Sequence, residues 1–337
     1  MGQGLLHRFQ KAGKNKQLNA VIQKIEMNAS NNYKDAAQSG LREFQEMLRE
    51  QERIVFFMKM TMLGTGNAMV TDCYNTCFMI NDENGNFLID GGGGNTILRQ
   101  LKNAGYDCTD IDEIFVTHKH IDHILGIIWV IRKICQSGMQ RKKENAVSVR
   151  AGEKNKSEKE VNVYGHEEVI ELLKAMLKEL LWENQWNYVS KHTHFIVVKD
   201  GETRQILGRK VTFFDIHSTK DKQFGFCMEL DNGKKFVCCG DEPYNPCVRA
   251  YVENSEWLLH EAFCLHAQAD IFGPYEKHHS TVKDACETAE ALGVRNLLLY
   301  HTEDRNLPDR KRLYTEEGSR YFQGKLYVPE DLEVLFI

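Results

Sequence analysis

The sequence predicts an α/β protein: a four-layer αββα sandwich preceded by an N-terminal helical hairpin. Three observations carry that expectation. Short apolar strands broken by glycine recur in both halves of the chain. Segments of helical period follow the strands in each half, which favours helices outside stacked sheets. Polar and ligating residues crowd the ends of apolar strands, above all in Ile114–Gly126, "IFVTHKHIDHILG".

Residues 1–52 have their own character. "LNAVIQKIEMNAS" and "YKDAAQSGLREFQEMLREQ" carry apolar residues at three- and four-residue spacing, and the polar "NASNN" between them predicts a helical hairpin. Arg8, Lys11, Lys14 and Lys16 make a short basic tail before it. Nothing there resembles a catalytic cluster, so 1–52 is expected to be a packing or dimerisation appendage, and 53–337 the catalytic domain. From Ile54 onward "IVFFMKMTMLG", "TCFMIN" and "NFLIDGG" read as strands, the last two joined by the turn "DENGN". "NTILRQLKNAG" is a helix ended by Gly105, "IFVT" a buried strand, and "DHILGIIWVIRKI" an interior helix. The segment Gln136–Glu160, rich in Lys, Arg and Glu, reads as a mobile surface loop. "VNVYG" and "EEVIELLKAMLKELLW" add a strand and a helix. In the second half "KVTFFDIH", "FGFCMEL", "KKFVCCGD", "SEWLLHEAF" and "NLLLYH" read as strands, with the helix "TVKDACETAEALG" before the last. "KLYVPEDLEVLFI" closes with two short strands.

Bulk properties narrow the function classes. A chain of 337 residues can bury one large core or two modest ones. A net charge near −5 disfavours a protein that coats nucleic acid, while leaving room for a local basic groove. No apolar run reaches bilayer length. The N-terminus lacks a signal-peptide core, and Leu6 stands where a myristoylation signal prefers Ser or Thr. A cytoplasmic protein is expected. Its ten cysteines are scattered without a structural zinc spacing, which predicts reduced core thiols.

In an extended segment residues two apart point the same way, so His118 and His120 can grip one cation. Asp122 and His123, at the turn into the next helix, can face a second. Imidazole and carboxylate suit zinc, with manganese or iron as alternatives. Further ligands are expected at other strand ends: His217 after "KVTFFDIH", Asp241 after "KKFVCCGD", where Gly240 permits close approach, and His301 after "NLLLYH". His192 and His194 in "SKHTHF" compete for the third-histidine role from the start of a strand. His7, His166 and His266 have no partner pattern.

Taken together, "MLGTGNA", "FLIDGG", "THKHIDH", "IHSTKDKQFGF", "CCGDEP", "LLHEAF", "HHST" and "LLLYHTEDR" resemble the metallo-β-lactamase superfamily, in its ribonuclease Z-like and phosphodiesterase branch, over residues 58 to 337. The resemblance implies a sandwich of that type and two divalent metal ions, zinc first among the candidates. It implies one metal on His118, His120 and His217, a second on Asp122, His123 and His301, and Asp241 bridging them. Asp90 in "LIDGG" matches an aspartate that supports a ligand from behind; its plainer reading is a turn cap. The implied catalytic groups are Asp122, Glu261 and His279, the last two working together on the leaving group, with His260 and His278 as register alternatives.

The implied reaction is hydrolysis of a phosphodiester by metal-activated hydroxide, since such a centre retains about one positive charge before substrate enters. Lys119 stands where related flavin-partnered di-iron reductases carry an acid, which argues against redox chemistry. Ribonuclease Z enzymes insert a long arm between the third histidine and the bridging aspartate; here only the 23 residues between His217 and Asp241 are available. The leading expectation is therefore a dinuclear phosphodiesterase or nuclease-like hydrolase acting as a homodimer on a phosphate ester, RNA included. The alternatives are a tRNA 3′ endonuclease using the basic segment from Arg132 to Lys159, and a partner-binding scaffold with vestigial activity.

Overall fold

A computed structural model describes residues 58–150 and 159–337, which belong to one compact unit, Phe57–Ile337. The expected hairpin in 1–52 lies outside the described residues.

Two seven-stranded mixed sheets face each other. The first is built from β1 (Lys59–Gly64), β2 (Cys77–Asp82), β3 (Gly85–Ile89), β4 (Glu113–Phe115), β5 (Val161–Gly165) and β6 (Thr193–Val197) in sequence order, and β14 (Val334–Phe336) pairs with β1 at its edge. The second runs β13 (Lys325–Tyr327), β12 (Asn296–Tyr300), β11 (Trp257–Glu261), β10 (Lys235–Cys238), β9 (Phe224–Glu229), β8 (Arg209–Asp215) and β7 (Thr203–Ile206). Six longer helices are labelled α1 (Thr96–Asn103), α2 (Ile121–Arg150), α3 (Glu167–Leu180), α4 (Glu183–His192), α5 (Val282–Ala291) and α6 (Arg310–Gly318).

Three cores separate the layers. Met60, Phe78, Phe87 and Phe115 of the first sheet meet Phe213, Phe226 and Phe236 of the second in the central one. The other face of the first sheet, through Met79, Leu88, Ile114 and Val163, packs on Ile127, Ile131, Leu173 and Val189 of α2, α3 and α4. The other face of the second sheet, through Val237, Leu258 and Leu297, packs on Ala285, Ala289 and Tyr314 of α5 and α6. Strands of the interior are buried on both faces and carry nearly continuous apolar runs, as β11 and β12 do.

The structure corrects one element. Gln136–Arg150, expected as a loop, continues α2, which is thirty residues long. Lys, Arg, Gln and Glu are strong helix formers, so losing the apolar stripe there ends the packing against the sheet and not the helix. Three of the labelled elements, α4, β7 and α6, were not foreseen, nor was the separation of β13 from β14 into different sheets.

The topology places the chemistry. Strands β3, β4, β5 and β6 are mutually parallel, as are β10, β11, β12 and β13. Asp90 follows β3, the histidine string follows β4, Asp241 follows β10, Glu261 ends β11 and His301 follows β12. Carboxyl ends of parallel strands from both sheets thus deliver side chains to one place.

Candidate metal centre

His118 and His120 lie in the short link between β4 and α2, while Asp122 and His123 fall in the first turn of α2. Two backbone contacts hold that turn against the glycine-rich end of β3: Gly91 donates its N–H to the His123 carbonyl at 2.8 Å, and Gly126 to the Gly92 carbonyl at 2.8 Å. Asp90 and His301, each just past its strand, adopt left-handed backbone with φ of 55° and 58°. Such backbone costs a non-glycine residue on the order of 1–2 kcal/mol and turns the side chain sharply out of the strand direction.

The side chains converge in two groups that share one region. His118 Nε2 lies 2.9 Å from His120 Nδ1 and 3.5 Å from Asp241 Oδ2. His123 Nε2 is 3.3 Å from Asp122 Oδ2, and His301 Nε2 is 3.5 Å from the same oxygen. Asp241 Oδ2 also sits 3.6 Å from His123 Nε2 and 3.5 Å from His301 Nε2, so one carboxylate oxygen reaches both groups. All of these residues except His120 are buried.

Burial depresses the His118 imidazole well below its usual pKa, against the pull of Asp241. Burial alone would raise Asp241, but the imidazoles of His118, His123 and His301 hold it well below the carboxylate range. Asp122 is likewise depressed, its burial outweighed by His123 and His301. His123 moves the other way: burial would lower it, yet Asp122 and Asp90 raise it well above an ordinary imidazole.

Behind the groups, Asp90 Oδ1 accepts the Thr117 N–H at 2.8 Å, and Oδ2 accepts the Thr117 hydroxyl at 2.7 Å. The same Oδ2 lies 2.7 Å from His123 Nδ1. Because Asp90 receives the Thr117 proton, Thr117 Oγ1 can accept from His118 Nδ1, 2.9 Å away. Both histidines therefore have an outer nitrogen anchored and an inner nitrogen free to ligate.

The fit to a metal can be judged from orphaned atoms. His123 Nε2, His301 Nε2 and Asp241 Oδ1 are buried without a hydrogen-bond partner. Each buried polar atom left unpaired costs about 1–3 kcal/mol, and a cation among these three satisfies all at once. The donor set of imidazoles and carboxylates suits zinc, manganese or iron.

The structure does not bring His217 to these groups. Strand β8 ends at Asp215, and His217 is exposed at φ 56° with its N–H given to Asp215 Oδ1 at 2.8 Å. The loop after His217 stays close to the centre, but the left-handed backbone at His217 leaves its own ring exposed. Among the other histidines, His192 is buried against Tyr188, with ring centroids 4.3 Å apart, and His194 is exposed beside Glu160 at 3.2 Å. His166 is buried ahead of α3, His266 is exposed beside Tyr275, and His7 lies outside the described residues.

Glu261 and His279 do meet, with Glu261 Oε2 3.5 Å from His279 Nδ1. Glu261 Oε1 accepts the Ser280 N–H, and the His279 ring stacks on Phe263 at 4.8 Å and stands 5.0 Å from the His301 ring. Glu261, His279 and His301 form a third cluster with ligand spacing. His260 is occupied structurally, accepting the Tyr244 N–H at 3.1 Å, while His278 is exposed and bonded to Thr219 Oγ1 at 2.7 Å. Among residues not anticipated from the sequence, Asp221 Oδ2 lies 3.1 Å from His120 Nε2, and Lys220 Nζ lies 3.4 Å from His279 Nε2. Both sit in a polar loop with no pattern to distinguish them.

Comparison with known proteins agrees with this architecture. A family model described as anti-Pycsar protein Apyc1 matches residues 58–323. A ribonuclease Z of Thermococcus sibiricus is 24% identical over 326 residues, covering 82% of this chain and 96% of its own. Among solved structures, the metallo-β-lactamase fold protein YhfI of Bacillus subtilis superposes with a TM-score of 0.61 at 19% identity, covering 83% of this chain and 99% of its own. The short form of human tRNase Z, ELAC1, gives 0.58 at 20% identity, with 83% and 99% covered.

Proposed function

Because the chain belongs to the anti-Pycsar protein Apyc1 family, and is a metal-dependent hydrolase of the ribonuclease Z-like branch of the metallo-β-lactamase superfamily, we propose that it cleaves a phosphodiester at a dinuclear centre. The observation that carries this reading is the position of Asp241, one of whose oxygens lies within 3.6 Å of His118, His123 and His301. His118, His120 and Asp241 would hold one ion; Asp122, His123 and His301 would hold the other, with Asp241 shared. Two divalent cations supply Lewis acidity there, neutralising phosphoryl oxygens and acidifying water.

The chain's own residues do the rest. Asp90 anchors His123 directly and His118 through Thr117, fixing which nitrogen of each faces inward. Glu261 faces His279 Nδ1 at 3.5 Å and favours a protonated ring, whose Nε2 proton would go to the departing ester oxygen. Lys220, beside that nitrogen, adds positive charge where the leaving group develops negative charge.

The stretch between His217 and Asp241 forms the β9–β10 hairpin, which holds no arm for grasping tRNA. That favours a compact phosphodiester over a structured RNA. Zinc and manganese content should be measured on the protein as isolated, alongside hydrolysis of cyclic nucleotides, bis-nitrophenyl phosphate and a precursor tRNA. Two ions per chain with turnover of one of the small esters is expected; preference for the precursor tRNA, falling steeply with salt, would overturn the substrate assignment. Asp241→Ala should lose both ions and all turnover, and a variant that keeps two ions would refute the shared carboxylate.

A further inference from the structure

Each imidazole in the histidine string presents one nitrogen to the centre and has the other held from behind. For His118 and His123 the outer partner traces to Asp90. His120 is held differently. Its Nδ1 faces His118 Nε2 at 2.9 Å, and its Nε2 points outward to Asp221 Oδ2 at 3.1 Å. Asp221 belongs to the loop between β8 and β9, on the opposite sheet.

We propose that Asp221 is a positioning residue of the metal centre, accepting the Nε2 proton of His120 and so leaving Nδ1 bare toward the ion that His118 and Asp241 would share. The inference rests on the dinuclear reading above. A neutral imidazole carries one N–H, and an ionised carboxylate can only accept. With the proton on Nε2, the bond to Asp221 is made and Nδ1 offers a lone pair. In the other tautomer the N–H would point at His118 Nε2, where a cation must sit, and Asp221 would face a lone pair.

The loop is fixed firmly enough to impose that choice. Lys119 Nζ lies 2.9 Å from the second Asp221 oxygen and also 2.9 Å from Glu168, which ties the carboxylate to α3. Ser218 Oγ donates to Glu242 Oε1 at 2.5 Å, and Thr219 N to Glu242 Oε2 at 3.1 Å, beside the shared Asp241. Asp221 therefore joins a ligand from the first sheet to a loop anchored on the second. Its side chain is 38% exposed, so its removal leaves the cores intact.

The test uses the full chain. Zinc affinities of wild type and Asp221→Ala are measured by competition with a chromogenic chelator. The tautomer of His120 is read in the zinc-loaded protein from long-range nitrogen–proton NMR, its signal assigned by loss in His120→Gln. We expect the variant to bind one of its two ions about 10- to 100-fold more weakly, the other unchanged, and zinc-loaded wild type to carry the His120 proton on Nε2. Wild-type affinity for both ions in Asp221→Ala overturns the inference. So does a wild-type His120 protonated on Nδ1, a readout that stands even if the variant does not fold. Failure of the dinuclear reading is distinct: wild type itself would take up fewer than two ions, whatever the state of His120.

Discussion

Asp122, His123, Asp241 and His301 make a charge arrangement that only a cation or a proton can relieve. Without metal, Asp122 and Asp90 outweigh burial and raise the His123 pKa, which favours its protonated form. Ligation needs the neutral ring, so zinc uptake must expel that proton. The sign follows: below the raised pKa, affinity for the ion on His123 should rise with pH, by up to about tenfold per unit for one proton. Calorimetric titration of metal-free protein in buffers of different ionisation enthalpy should show net proton release; its absence at neutral pH would mean that His123 is already neutral. His279 offers a separate residue-scale test. His279→Ala should keep metal content and slow esters with poor leaving groups by roughly 10²–10⁴-fold, while a nitrophenyl ester slows little, because a good leaving group needs no proton. Equal slowing of both, in steady-state assays, would remove the proton-donor role. The residues in this centre were largely legible because ligating side chains at the ends of apolar strands are chemically conspicuous. His217 shares that signature yet stands apart, since a strand-end histidine can point either way and its own backbone conformation decides. Asp221 carried no signature, because a carboxylate in a Lys-rich loop looks like ordinary solvated polarity.

At the scale of elements, the centre depends on how closely β3 and α2 approach. A Cβ on Gly126 would lie 1.7 Å from the Gly91 carbonyl oxygen, and one on Gly91 would lie 2.5 Å from the Ile127 nitrogen. Two glycines therefore face each other where the helix passes the strand end, and the His123 carbonyl is bonded to Gly91 in the same contact. Backbone atoms cannot yield as a flexible side chain can. Gly126→Ala is expected to cost on the order of 1–3 kcal/mol and to push the first turn of α2, with Asp122 and His123, out of line. Urea unfolding together with metal analysis checks both; a variant with wild-type stability and two ions would show that the helix can slide without consequence. Apolar period and turn chemistry made most elements readable, including the β2–β3 hairpin and the helix after "HHST". They failed for α6, whose sequence "RKRLYTEEG" shows almost no apolar stripe and whose buried residues include Arg310 and Glu317. They failed as well for the second half of α2, where helical propensity outlasts amphipathicity.

Across the whole molecule, the four layers could be expected from alternating strands and helices, but the seam joining the two sheets could not, because it is made by polar residues far apart in sequence. Thr302 donates its N–H to the Thr65 carbonyl at 3.0 Å, Asn67 donates to the Thr302 carbonyl at 2.9 Å, and Phe224 donates to the Thr117 carbonyl at 3.0 Å. Arg310, fully buried, closes the first of these joints. Its guanidinium donates to Thr302 Oγ1 at 2.6 Å, Thr65 Oγ1 at 2.9 Å and the Pro329 carbonyl at 3.0 Å. Thr302 is the neighbour of His301, so the joint that ties the sheets also sets a ligand. Metals held between Asp122 and His123 of one sheet and Asp241 and His301 of the other would clamp the same seam, and ions that bind only the folded state add stability that grows with the logarithm of their free concentration over Kd. Arg310→Met should therefore act twice. Unpairing the buried hydroxyls and carbonyl costs about 2–4 kcal/mol without metal, and a loosened His301 should shrink the extra stability that zinc confers. Urea unfolding of wild type and variant, each with zinc and with a chelator, separates the two effects. If the increment due to zinc is the same in both proteins, the seam and the centre are energetically independent, and Arg310 serves the fold alone.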